Sequence, residues 1–177
     1  LTVGRLVKRK GQDTVIRALP QVLKEVPDTV YCIVGKGPDR AYLEGLIREL
    51  NLGRSVEIVD DVPDGSLGAY YSVASVFAMP TRAIGPDVEG FGIAYLEAAH
   101  FSLPIIAGNS GGENEALGGV GSGLRIDGED VSELAESLVS LLQDRELAGY
   151  LGSNAHGHLL QLPNWEAQSK KLESLLQ

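Results

Sequence analysis

Short, continuously apolar runs alternate with segments of helical period along the whole sequence, and few folds accept that alternation. TVYCIVG (29–35), SVFAMP (75–80) and PIIAG (104–108) carry apolar residues at successive positions. A strand with one wet face alternates apolar and polar residues, so strands without alternation are covered on both faces. LTVGR (1–5), VEIVD (56–60) and GLRID (123–127) read as further, shorter strands. Between them, 13–26, 42–53, 66–74, 91–101 and 131–144 read as helices. Asp13 is placed to cap the first of these, and Pro20 is expected to perturb it. Strand and helix in strict alternation predict an α/β fold, a Rossmann-like doubly wound parallel sheet. Ligands of such sheets bind outside the carboxyl ends of the strands, so chemistry is expected in the loops that follow strands.

The 177 residues fit a single domain, 1–177, closed by helical stretches over about 144–177. The first residues read as a strand already under way, which makes the chain an expected part of a longer polypeptide. No apolar run approaches the roughly 20 residues of a membrane span, and nothing resembles a secretory leader. Cys32 is the only cysteine, so no disulfide forms within the chain; its apolar run predicts a buried thiol. The net charge of -9 argues against nucleic acid as a partner. Yet Arg5, Lys8, Arg9 and Lys10, four of the 15 basic residues, crowd into a single loop. An acidic protein with one local basic cluster points to a small anionic ligand, with a solvated charged loop as the plain alternative.

Three strand-exit loops stand out. In GRLVKRKG (4–11), Gly4 permits an unusual turn, and Arg5 and Lys10 flank the loop. Arginine grips phosphate oxygens bidentately and lysine acts as a point charge, a combination suited to a diphosphate. In EGFGIAYLEAA (89–99), Glu89 precedes a helix whose first free amides are expected from Phe91, Gly92 and Ile93. Gly90 and Gly92 would let a ligand approach the backbone closely. Glu97 falls near the apolar face, where a carboxylate is costly without partners. Eight residues of helix rise about 12 Å, which matches two hydroxylated groups joined by a diphosphate. Pairing with a buried arginine, or capping another loop, is the alternative for Glu97. In the third loop, Ser110, Gly111 and Gly112 follow a buried strand and could offer amides to phosphate or sugar oxygens. Positions 108–123 hold seven glycines, so simple loop flexibility is a comparable reading.

Other candidates carry less. Asp60 and Asp61 lack the hydroxyl and lysine partners of a phospho-acceptor site and read as solvated loop. GKGP (35–38) lacks the third glycine of a dinucleotide fingerprint. His100, His156 and His158 show no metal-ligand spacing, the last two belonging on a surface helix. Trp165 reads as a packing anchor.

Taken in order, these loops resemble the C-terminal domain of family-4 retaining glycosyltransferases of the GT-B fold, over nearly the whole chain. GRLVKRKG is similar to the family's phosphate-gripping loop, and VEGFGIAYLEAA carries its two glutamates with seven residues between them. IVGKGP, VFAMPTR and PIIAGNSGG follow the family's order as well. The resemblance implies that Arg5 and Lys10 hold the donor diphosphate, Glu89 contacts hydroxyls of the transferred sugar, and Glu97 binds the ribose. Phe91, Gly92 and Ile93 would cradle phosphate and sugar. It implies a GDP- or UDP-linked sugar as donor, no metal and no cofactor, and an acceptor, lipid or glycan, held by an N-terminal domain absent here. The DVEGFGI and SGG details look most like mannosyltransferases acting on phosphatidylinositol or related acceptors. A cytoplasmic location follows, with any seat at the inner membrane face supplied by the absent domain. The isolated chain would bind nucleotide and transfer little or no sugar.

The sequence departs from the family at four places. Phe101 and Ser102 replace a small residue and a glycine, Asp60 stands at a common glycine and Ser75 at a common aspartate. Competing readings are an epimerase of UDP-N-acetylglucosamine, which would lack the basic loop, and a non-catalytic nucleotide- or phosphate-binding module.

Overall fold

A computed structural model describes residues 1–63, 65–118 and 121–162. Six strands, β1 (Thr2–Val3), β2 (Tyr31–Val34), β3 (Val56–Val59), β4 (Phe77–Met79), β5 (Ile105–Ala107) and β6 (Leu124–Arg125), run among the described residues. The helices are α1 (Gln12–Glu25), α2 (Arg40–Glu49), α3 (Leu67–Val73), α4 (Ile93–His100), α5 (Glu113–Leu117), α6 (Val131–Gln143) and α7 (Arg145–Gln161).

All strand pairing is parallel, in two groups ordered β1-β2-β3 and β4-β5-β6. Leu1 joins them: its amino group donates to the Val76 carbonyl at 2.9 Å, and its carbonyl accepts from the Ala78 amide at 2.9 Å. The order across the molecule is therefore β3-β2-β1-β4-β5-β6. The chain winds outward from β1, returns to β4 and winds the other way, so the direction reverses between these two strands. That reversal opens the crevice where doubly wound sheets bind ligands.

The apolar runs are explained by what each face touches. Ala78 and Ile106 pack with α1 and α6, among Val15, Leu19, Leu134 and Leu138. Their neighbours Phe77, Met79, Ile105 and Ala107 pack on the opposite face with Tyr71, Tyr95, Ala98 and Leu117. Successive residues point to opposite faces and both faces are covered, so neither can be polar.

Local chemistry shifts several boundaries. α1 starts on Gly11 rather than on an Asp13 cap; Gly11 has φ 73°, and a Cβ there would overlap the Pro80 carbonyl. α1 then runs unbroken through Pro20. α5 is a short helix where the sequence suggested only loop. Cys32 is half-buried rather than buried, and burial raises its thiol pKa. His156 and His158 lie on α7 as expected but are half-buried, with His156 Nδ1 3.1 Å from the Ala99 carbonyl. Trp165 and any helix beyond α7 lie outside the described residues. Among the described residues, no helix is long and apolar enough to cross a membrane.

Candidate functional site

The loop leaving β1 is pinned before it turns. The Gly4 amide donates to Val34 and the Leu6 amide to Lys36, both at 2.9 Å, and Leu6 is fully buried. A 3₁₀ turn over Lys8–Lys10 follows. Three residues per turn send successive side chains in three directions. Lys8 faces solvent, Arg9 is half-buried and Lys10 is buried.

The two inward cations converge on one carboxylate oxygen. Lys10 Nζ lies 2.8 Å from Glu89 Oε2, and Arg9 Nη1 lies 2.5 Å from the same atom. Arg9 also reaches Asp87 through Nε at 3.1 Å. Glu89 is 7% exposed, so without these cations its charge would be costly. Arg5 is exposed, and its carbonyl accepts from Gln12. The second cation on Glu89 is thus Arg9, which sequence reasoning missed. Three consecutive basic residues carry no signal of which one turns inward until the 3₁₀ turn is known.

Glu89 and Glu97 do not share one helix. Gly92 has φ 76° and caps α4, which begins at Ile93. A Cβ on Gly92 would stand 2.5 Å from the Tyr95 ring. Only Ile93 to Glu97 is helical, a rise of about 6 Å rather than 12. The amides left without helical partners are accordingly those of Ile93 and Ala94, with Gly92 at the cap. Phe91 lies one residue outside; its side chain and that of Ile93 are exposed. Gly90 is exposed in the loop between.

Glu97 is half-buried and accepts a 2.7 Å hydrogen bond from Tyr71 Oη, not a charge from a buried arginine. Burial, and then the bond to Glu97, push the Tyr71 hydroxyl pKa far up, so it remains a neutral donor. Phe101 stacks on Tyr71 with centroids 5.5 Å apart and planes within 8°. This departure from the family pattern therefore supports the ring that supports Glu97. Ser102 adopts φ 54°, the left-handed conformation that a glycine would take without strain.

The third loop differs from expectation. Ser110 Oγ donates to Glu113 Oε1 at 2.9 Å and Ser110 N points to the same oxygen at 3.4 Å; Thr81 Oγ1 donates there as well. The carboxylate's other oxygen, Oε2, is buried with no hydrogen-bond partner among the described residues. Burial works against its charge, but the hydrogen bonds prevail and hold its pKa below the ordinary glutamate value. The donors of Ser110 are thus turned on an internal carboxylate. Gly112 donates to the Glu89 carbonyl at 3.1 Å, joining this loop to the one that carries Glu89. Glu113 is a second residue that sequence reasoning missed, because a glutamate in a glycine-rich polar loop reads as solvated.

Arg82 fixes the remaining side of the crevice. Its guanidinium binds both oxygens of Asp13 at 2.8 and 2.9 Å and Thr14 Oγ1 at 2.8 Å, and its amide donates to the Arg9 carbonyl. Asp60 and Asp61 pair with Arg40 and Lys36 at the surface. A cavity of about 380 Å³ lies along Thr81, Arg82, Ser110, Asp127 and Glu129. A larger apolar groove, about 570 Å³, lies at the amino ends of the strands, away from Glu89. Among the described residues, no three of His, Cys, Asp and Glu gather as metal ligands.

Residues 1–158 match the family model described as Glycosyl transferases group 1. A GDP-mannose-dependent alpha-(1-6)-phosphatidylinositol monomannoside mannosyltransferase of Mycolicibacterium smegmatis is 39% identical over 176 residues. That match covers 98% of this chain and 46% of the relative, so the chain spans about half the length of the curated relatives it matches. Among solved structures, sucrose-phosphate synthase from Thermosynechococcus elongatus superposes with a TM-score of 0.81 at 31% identity, over 99% of this chain and 44% of that one. S. aureus TarM, solved with UDP among its ligands, reaches 0.86 at 20% identity, over 98% of this chain and 34% of that one, a likeness of fold alone.

Proposed function

This chain belongs to the group 1 glycosyl transferases, and from that premise we propose that it is the nucleotide-sugar-binding half of a retaining hexosyltransferase, with GDP-mannose as donor. The observation that carries the reading is buried Glu89 held by Lys10 and Arg9 at the reversal between β1 and β4. A sugar diphosphate needs cations for its phosphates and an acceptor for its sugar hydroxyls within a few ångströms of each other, and this cluster supplies both. The M. smegmatis relative, named as GDP-mannose-dependent, favours guanine and mannose over a UDP-hexose.

In this proposal Lys10 and the exposed Arg5 neutralise the diphosphate, aided by the amides of Gly92, Ile93 and Ala94 at the α4 N-terminus. Glu89 accepts hydrogen bonds from the sugar and is the residue nearest the reacting centre. Glu97, held by Tyr71, accepts from the ribose. Fixed cationic side chains and a helix end disperse the charge of the leaving nucleoside diphosphate, so the proposal involves no metal or cofactor. A phosphate oxygen of the leaving group takes the acceptor proton in place of a protein base. Residues 1–177 form the donor domain, and a domain outside this chain positions a lipid or glycan acceptor at the cytoplasmic face of a membrane. Alone, the chain binds donor and transfers little sugar.

Calorimetry with GDP, UDP and ADP and their sugar conjugates tests this. GDP-mannose binds best, and Lys10→Ala and Glu97→Gln each weaken binding by about 1.5–3 kcal/mol. Absence of binding by every nucleoside diphosphate, or parent-like binding by both variants, ends the site assignment.

A further inference from the structure

We propose that Arg9 is a positioning residue that keeps Glu89 in place when a donor diphosphate draws Lys10 away, so that it governs recognition of the sugar but not of the nucleotide. The inference rests on the donor reading above. Its starting point is that both cations bind the same atom, Glu89 Oε2, while only Arg9 continues outward to Asp87. Lys10 is buried and presents a compact ammonium; Arg9 is half-buried and presents a planar fork. The fork spans two carboxylates through separate nitrogens, Nη1 to Glu89 and Nε to Asp87, so its orientation is fixed from both ends. Its main chain is held as well, because the Arg82 amide donates to the Arg9 carbonyl at 2.9 Å, and the Arg82 side chain is itself locked on Asp13.

Charge accounting separates the two cations. Without ligand, Lys10 and Arg9 face Glu89 and Asp87, two charges of each sign. A diphosphate adds negative charge beside Lys10, and a shared ammonium cannot satisfy both anions with its full field. A buried carboxylate that lost its partner would swing toward solvent. That change removes the acceptor that the sugar hydroxyls require. Arg9 prevents it, since its hold on Glu89 Oε2 does not pass through Lys10. The carboxylate so held then accepts from the sugar. Lys10 serves the nucleotide half of the ligand, and Arg9 serves the sugar half through Glu89.

The test is a comparison of GDP with GDP-mannose by calorimetry on the 177-residue chain, for the parent, Arg9→Gln, Arg9→Lys and Arg9→Gln combined with Glu89→Gln. Arg9→Gln is expected to weaken GDP-mannose binding about tenfold or more while changing GDP binding less than about threefold. Arg9→Lys keeps the charge but cannot span Asp87 and Glu89, and it recovers part of the loss. In the Glu89→Gln background, Arg9→Gln adds no further loss for either ligand. Equal weakening of both ligands, the result expected of a phosphate contact or a damaged fold, overturns the inference. So does parent-like binding of both. If the parent chain binds neither ligand, the donor reading falls and the inference with it; if the parent binds both and the ratio is insensitive to Arg9, only the inference falls.

Discussion

Glu89 and Glu97 stand eight positions apart on one segment, yet they are carried in opposite ways. Glu89 sits in a loop, buried, with two cations on a single oxygen. Glu97 sits on a helix, half-buried, with a neutral phenol as its partner. The deeper carboxylate needs opposite charge because protein surrounds it. The shallower one keeps part of its hydration and needs only a donor to fix its direction. Support by charge offsets the cost of burial, whereas support by a hydroxyl fixes direction and leaves the charge itself unpaired.

The largest effect expected from this contrast is on folding. Lys10→Met leaves Glu89 buried with one cation and should cost about 3 kcal/mol, while Tyr71→Phe should cost about 1 kcal/mol. Urea unfolding of both variants measures the difference, and equal costs would remove the distinction between the two carboxylates. Glu113 sharpens it as a third case, a buried carboxylate held by neutral donors alone among its described partners. Glu113→Ala should cost about 2 kcal/mol, read by the same unfolding series.

The pH dependence follows from its lowered pKa. The contribution of Glu113 is present above the unfolded value of about 4.3 and is lost as pH falls through the lower folded value. Glu113→Gln should therefore flatten the acid limb of a stability–pH profile; an unchanged limb would mean that other groups set it. The smallest effect is at the support of Tyr71. Ser102→Gly relieves a left-handed φ beside Phe101 and should raise stability by about 0.5 kcal/mol, detectable as a higher melting temperature.

The sheet was largely legible in the sequence because covered strands must be apolar at every position, as Phe77–Met79 and Ile105–Ala107 are. The helices of strong period were legible for the same reason, and so was the grouping of Lys10 with Glu89 through the ordered loops. What escaped depended on backbone turns that composition does not encode. Gly92 interrupts what reads as one helix from Glu89 to Glu97, and the 3₁₀ turn selects Arg9 over Arg5 as the partner of Glu89. Glu113 escaped because its donors come from Thr81 and from Ser110, which spacing alone reads as open to a ligand. Asp13 looked like a cap and instead anchors Arg82, a contact 69 residues away in sequence.

The glycines after β5 have a consequence for how this protein can vary. Added methyl groups at Gly111 and Gly112 would overlap the carbonyl oxygens of Glu89 and Gly90. The two loops are thus stacked main chain on main chain, with no side chain between them to yield. A substitution at either glycine would shift Glu89 from behind without touching its carboxylate. Changes that seem remote from the chemistry can therefore detune it, and compensating changes should be found in the loop on the other side of that contact.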